Sequence, residues 1–129
     1  MAIKFEGVTI DAVDPRSLAE FWAAVLGWKI GGEVKGIEVW IERDTTDSAS
    51  FGFPEILFLI NADVKQVKNR LHLDLRPDDQ VAEVARLEKL GARQIDIGQH
   101  EYPECTWVVM ADPEGNEFCV LSDRPGSRD

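Results

Sequence analysis

His72 sits in the run Arg70-Leu71-His72-Leu73-Asp74-Leu75, where polar and apolar residues strictly alternate. Successive side chains of an extended strand point to opposite faces, so Arg70, His72 and Asp74 share one face and the leucines the other. An imidazole flanked on its own face by a carboxylate and a guanidinium is a general-base arrangement. Asp74 or Arg70 would orient the ring, and His72 would act as a general base or hydrogen-bond a ligand. The alternative reading is a structural histidine, with Asp74 and Arg70 forming salt links to neighbouring strands. Far along the chain, Glu117 and Cys119 share a face by the same alternation. Cys119 reads either as a small buried hydrophobe or as a thiol that binds metal or reacts.

The chain has 129 residues, 44% of them hydrophobic, which is enough for one core and excludes wholesale disorder. Fourteen Lys and Arg against 24 Asp and Glu give a net charge of −10, which repels phosphate backbones and anionic lipid. Nucleic acid and membrane are therefore not expected partners. The apolar run Ile56-Leu57-Phe58-Leu59-Ile60 is far shorter than the roughly 20 residues that span a bilayer. Met1-Ala2-Ile3-Lys4-Phe5-Glu6 has no basic stretch leading into an apolar one, so no secretory signal is expected. Cys105 and Cys119 form no CxxC pair, so reduced thiols in a cytoplasm are expected.

The elements that must position these residues occur twice. Val8, Ile10 and Ala12 alternate with Gly7, Thr9 and Asp11, which predicts a half-buried strand over 5–13. Asp14-Pro15 supplies a cap and a first-turn proline for a helix bearing Leu18, Phe21, Trp22, Val25 and Leu26, ended by Gly27. Strand signals follow at 28–31, 36–43 and 55–61, with a Ser/Thr/Asp-rich loop at 44–54. The pattern restarts after a polar connection at 63–69. A strand at 70–76 leads to a helix carrying Val81, Val84, Ala85, Leu87 and Leu90 and closed by Gly91, then strands at 92–97, 106–111 and 117–122. Asp112-Pro113-Glu114-Gly115-Asn116 is hairpin-turn chemistry between the last two. The expected fold is α+β: two tandem β-α-β-β-β modules, at 3–62 and 69–122 of a single domain, forming a curved mixed sheet or incomplete barrel with the helices outside.

One helix per module covers one face of its sheet. Val8, Ile10, Leu71, Leu73 and Leu75 are expected to meet the helices. The opposite faces would line a shared concavity holding Thr9, Asp11, Arg70, His72, Asp74, Glu117 and Cys119, the usual setting for a binding site. Ile37, Val39 and Ile41 are expected on one face of their strand, leaving Glu38, Trp40 and Glu42 on the other. Trp40 and Trp107 thus read as residues of a cavity mouth or of a subunit contact. Trp22 reads as core. The polar segment at 99–105 reads as a solvated connection or a lid.

The opening Leu18-Ala19-Glu20-Phe21-Trp22-Ala23-Ala24-Val25-Leu26-Gly27-Trp28 after a strand ending in Asp-Pro resembles the vicinal oxygen chelate superfamily. This superfamily holds glyoxalase I, extradiol dioxygenases and bleomycin- and fosfomycin-resistance proteins. Asp112-Pro113-Glu114-Gly115-Asn116-Glu117-Phe118 is similar to its second signature. Lys68-Asn69-Arg70-Leu71-His72-Leu73-Asp74-Leu75 is similar to its small glyoxalase-like branch. The resemblance spans about residues 3–122 and implies metal ligands on the first and last strands of each module. Those positions fall at Gly7, Leu59, His72 and Cys119, of which only the last two carry donors, whereas catalytic zinc usually takes about three protein ligands.

The resemblance accordingly implies a protein that binds or transforms a small molecule in the sheet cavity without the full metal centre. Candidate contacts are Thr9, Trp40, Leu59, Trp107, Glu117 and Cys119. No cofactor is expected, with a divalent metal at His72 and Cys119 as the lesser alternative. A metal-dependent lyase, isomerase or dioxygenase and a drug-sequestering binding protein both stay open. The net charge favours a cationic ligand. The resemblance also implies a homodimer, through pairing within or between chains.

Overall fold

The computed structural model describes residues 3, 5–44, 54–96 and 107–122. The chain divides into two compact units, Met1–Val64 and Lys65–Asp129. Most of the loop expected at 44–54 and all of the segment at 99–105, with Cys105, lie outside the described residues.

The first unit runs β1 (Gly7–Ala12), α1 (Pro15–Leu26), β2 (Lys29–Val34), β3 (Glu38–Glu42) and β4 (Glu55–Ile60). Its sheet has the order β1-β4-β3-β2, with β1 parallel to β4 and the other pairs antiparallel. The parallel pair requires a crossover, and α1 begins it. Asp14 accepts the Ser17 N–H at 3.1 Å, which holds its carboxyl below the ordinary value, and Pro15 starts the first turn without a wasted donor. Gly27, at φ 69°, ends the helix in the left-handed conformation. Leu18, Phe21, Trp22 and Val25 recur at helical spacing and are all buried. The Trp22 ring meets Phe21 edge-on at 5.3 Å. Val39, Ile41, Ile56 and Phe58 complete this core from the sheet.

The second unit repeats the plan: β5 (Leu73–Leu75), α2 (Gln80–Leu90), β6 (Arg93–Gln94), β7 (Trp107–Ala111) and β8 (Glu117–Leu121), in the order β5-β8-β7-β6. Asp79 caps α2 by accepting the Ala82 N–H at 3.1 Å, and Gly91, at φ 117°, closes it. Leu87, Met110, Phe118 and Val120 form the core. The β7–β8 turn is organised by buried Asp112. Its Oδ1 accepts the N–H groups of Glu114 and Asn116, each at 2.9 Å, and the Asn116 amide donates to both carboxylate oxygens. This network satisfies a carboxylate that would otherwise be expensive to bury.

Several expectations need correction. The strand expected at 70–76 pairs only over Leu73–Leu75, so Leu71 lies before the ladder and is 89% exposed rather than facing a helix. Val81 is 81% exposed and Ala85 is exposed, because α2 buries only Val84 and Leu87 against its small sheet. Leu90 is also exposed. Ile37 belongs to the β2–β3 turn, where its N–H donates to Val34 O at 2.9 Å, and its side chain is half exposed. The first hairpin strand extends past residue 31 to Val34 through a bulge between Ile30 and Gly32.

Candidate functional site

The candidate site lies on the face of the second sheet opposite α2. Asp74 pairs with Cys119 across the parallel β5–β8 ladder, and Cys119 pairs with Val109 on β7. By alternation this face carries Asp74, Cys119, Glu117, Val109 and Trp107, and Leu73, Phe118, Val120 and Met110 take the core face. His72 precedes β5 by one residue and keeps the phase of Asp74. Its Nδ1 lies 3.5 Å from Asp74 Oδ1 and 3.7 Å from Cys119 Sγ. The three donor atoms all fall within 4.8 Å of one another.

Cys119 is 3% exposed, and its thiol is pushed up to about 11. Burial is the larger cause, since it disfavours the thiolate; the Asp74 carboxylate adds repulsion and accepts a hydrogen bond from the neutral thiol. The thiol is therefore protonated at neutral pH and is a poor nucleophile by itself. Asp74 and His72 are exposed on the same face. A carboxylate at Nδ1 favours the tautomer protonated there, which leaves Nε2 as the basic nitrogen.

Glu117 is placed on this face but is already engaged. It is 5% exposed, its Oε1 accepts the Asn69 N–H at 3.0 Å, and its Oε2 is ion-paired with Lys65 Nζ at 2.9 Å. Burial pushes this carboxyl up, but the hydrogen bonds and charge of Lys65 and the Asn69 amide outweigh it, so its pKa lies below the ordinary value. Lys65 and Asn69 were not among the residues singled out from the sequence. They lie in a polar stretch that reads as a plain connection, and only the fold reveals their partner. Arg70 is exposed, and Trp107 is half-buried on β7.

The corresponding face of the first sheet is built differently. Thr9 and Asp11 lie there, beside Leu57 and Leu59 of β4, with Trp40 of β3 across from Leu57. Asn61 donates to Asp11 at 3.2 Å. The Trp40 indole lies over β2: a β-carbon on Gly32 would come 2.3 Å from its six-membered ring, and one on Gly31 would come 2.7 Å from the five-membered ring. Two glycines thus make room for one indole. Gly7 shows the opposite constraint, because a β-carbon there would come 2.5 Å from the Glu55 carbonyl oxygen. The ligand position at Gly7 therefore lacks a side chain and also the space for one. Leu59 offers no lone pair.

The family model described as a glyoxalase-like domain matches residues 7–121. No curated protein matches the sequence. Among solved structures, the fosfomycin resistance protein FosX of Listeria monocytogenes, complexed with Mn(II) and 1S,2S-dihydroxypropylphosphonic acid, aligns with a TM-score of 0.72 and 15% identity over 99% of this chain and 96% of that one. A glyoxalase/bleomycin resistance protein/dioxygenase family enzyme of Burkholderia phytofirmans aligns with a TM-score of 0.67 and 18% identity, over 92% and 98% of the two chains. Lactoylglutathione lyase of Agrobacterium tumefaciens aligns with a TM-score of 0.60 and 17% identity, over 92% of each. At these identities the neighbours share the fold alone. The match across almost the whole sequence, on two copies of the β-α-β-β-β unit, makes this chain a member of the glyoxalase-like domain family within the vicinal oxygen chelate superfamily.

Proposed function

We propose that the protein binds a small molecule at the sheet face bearing His72, Asp74 and Cys119, with His72 as the proton-exchanging or hydrogen-bonding group and without a four-ligand metal centre. One observation carries this reading: the donor atoms of His72, Asp74 and Cys119 converge within 4.8 Å of one another on one sheet face. Asp74 holds Nδ1, so Nε2 is the atom offered to a ligand. The buried thiol contributes a neutral, apolar floor. The half-buried Trp107 on the same face and the net charge of −10 support a ligand that is cationic or aromatic rather than anionic. The same reading includes a homodimer in a cytoplasm. Among the described residues no helix is long and apolar enough to cross a membrane.

A second reading has its own support. The His72 donor lies 3.5 Å and 3.7 Å from those of Asp74 and Cys119, near the edges of a coordination tetrahedron with bonds of about 2.0–2.3 Å, and all three lie within 4.8 Å, so they are candidate ligands of one divalent ion. Such an ion would polarise a substrate oxygen as a Lewis acid. The thiol weighs against occupancy. Binding must displace its proton, and burial and the Asp74 carboxylate raise the thiol to about 11, so protons compete with the metal at neutral pH.

The test combines elemental analysis with a thermal-shift screen of small cationic and aromatic compounds. The expected result is less than one metal per chain and a compound that raises Tm in the wild type but not in His72→Ala. Stoichiometric metal that vanishes in His72→Ala would establish the second reading instead. A compound that stabilises both proteins equally would remove His72 from the site.

A further inference from the structure

We propose that the Lys65–Glu117 ion pair is a positioning clasp, which fixes the segment 65–69 on β8 and thereby sets the His72 ring against Asp74 and Cys119. The proposal rests on the reading of His72 as the working group of the site, and it adds the residues that place it.

Glu117 spends both carboxylate oxygens on this one segment, Oε1 on the Asn69 N–H and Oε2 on the Lys65 ammonium. The same ammonium also donates to the Val67 carbonyl, so the segment is folded around a single charge. The pair is enclosed, with side-chain exposures of 18% for Lys65 and 4% for Glu117. Burying two ions costs several kcal/mol each before their attraction is counted, so such a pair adds little net stability over an apolar one. What it supplies is direction: a carboxylate at a fixed ladder position accepts from one amide and is ion-paired with one ammonium.

The chain between clasp and ladder is short. β5 begins only at Leu73, and Arg70, Leu71 and His72 lie before its register with β8. His72 is therefore held by Asn69 on one side and by Leu73 on the other. Glu117 and Cys119 stand two residues apart on one face of β8, so the clasp and the imidazole are referenced to the same strand. Loss of the ion pair frees three residues that carry the ring, while the β7–β8 hairpin keeps its own hydrogen bonds and the Asp112 turn. Lys65 and Glu117 are positioning residues; neither needs to touch a ligand.

The test uses the full chain, isotope-labelled and without ligand. In the wild type, the His72 ring protons show a nuclear Overhauser contact with the Cys119 β-protons, and the Asn69 amide is protected from hydrogen exchange. Lys65→Met is expected to abolish the contact and to shift amide resonances at 65–72, with the β7 and β8 amides unchanged. Lys65→Arg, which restores the charge, is expected to restore the contact. Should Lys65→Met not fold, Glu117→Gln reports in its place: it keeps an acceptor for Asn69 but weakens the ion pair, and is expected to reduce the contact at least twofold. A wild-type Asn69 amide exchanging as fast as an exposed one would overturn the proposal. So would an undiminished His72–Cys119 contact in a folded Lys65→Met or Glu117→Gln variant. Ligand binding plays no part in these readouts. A clasp established here while His72→Ala still binds its compound would sink the functional reading and leave the clasp standing.

Discussion

Cys119 makes stability fall in alkali by an amount the structure sets. The buried thiol ionises at about 11, whereas a thiol in the unfolded chain ionises near 9.0. Below pH 9 both states hold the proton and the group contributes no pH dependence. Between about pH 9 and 11 the unfolded chain releases it and the folded one retains it, so the folded state binds more protons and stability falls as pH rises. Each unit of separation corresponds to about 1.4 kcal/mol, so the loss approaches about 2 kcal/mol by pH 10.5. Lys and Tyr residues titrate in the same range, so the quantity to measure is a difference. Urea unfolding of a Cys105→Ser protein and of its Cys119→Ala derivative, at pH 7.5, 9 and 10.5, isolates the term. The stability gap between them should shift by about 2 kcal/mol in favour of Cys119→Ala at the highest pH, a midpoint change of roughly 1 M for a slope of about 2 kcal/mol/M. Adding Asp74→Asn should shrink the shift, since Asp74 is the second cause of the raised value. A gap independent of pH would show that the thiol is not enclosed between β5 and β7, and the site geometry would fall with it.

Three further outcomes follow from the same structure. Gly7→Ala forces a β-carbon against the Glu55 carbonyl and should destabilise by about 1–2 kcal/mol after the gain in chain stiffness, read as a lowered Tm; Gly7→His should create no metal affinity by calorimetric zinc titration. Gly32→Ala should displace the Trp40 indole, with a red-shifted fluorescence maximum and a stability loss of about 1–3 kcal/mol, because a β-carbon would lie 2.3 Å from the ring. Glu117 has a lowered pKa in the folded state, so its contribution is present above the ordinary carboxyl value and is lost as pH falls through the lower one. The acid limb of a pH–stability curve should therefore flatten in Lys65→Met, and an unchanged limb would contradict the ion pair.

The sequence by itself determined the doubled β-α-β-β-β plan. Its punctuation is local: Asp14-Pro15 and Gly27, then Asp79 and Gly91, mark helix ends through hydrogen bonds and backbone angles satisfied within a few residues. The alternations over Gly7–Ala12 and Glu38–Glu42 fixed which side chains face the core, and Asp112 to Asn116 fixed the last turn, for the same reason. It also brought His72 and Cys119 to notice. Tertiary structure decided what depends on neighbours distant in the chain. Leu71 and Val81 continue apolar patterns yet lie exposed, because periodicity reports a face but not the extent of the surface that covers it. Asp74 became a third donor only when the β5–β8 register set it opposite Cys119. Gly7 reads in sequence as a missing ligand, but it takes the Glu55 carbonyl, 48 residues away, to close the space for one. Glu117 reads in sequence as a ligand contact or a solvated hairpin residue, and the fold instead buries it against Lys65 from an otherwise plain connection. Charge pairing and steric exclusion act between atoms in space, and no spacing along the chain encodes them until the strands are paired.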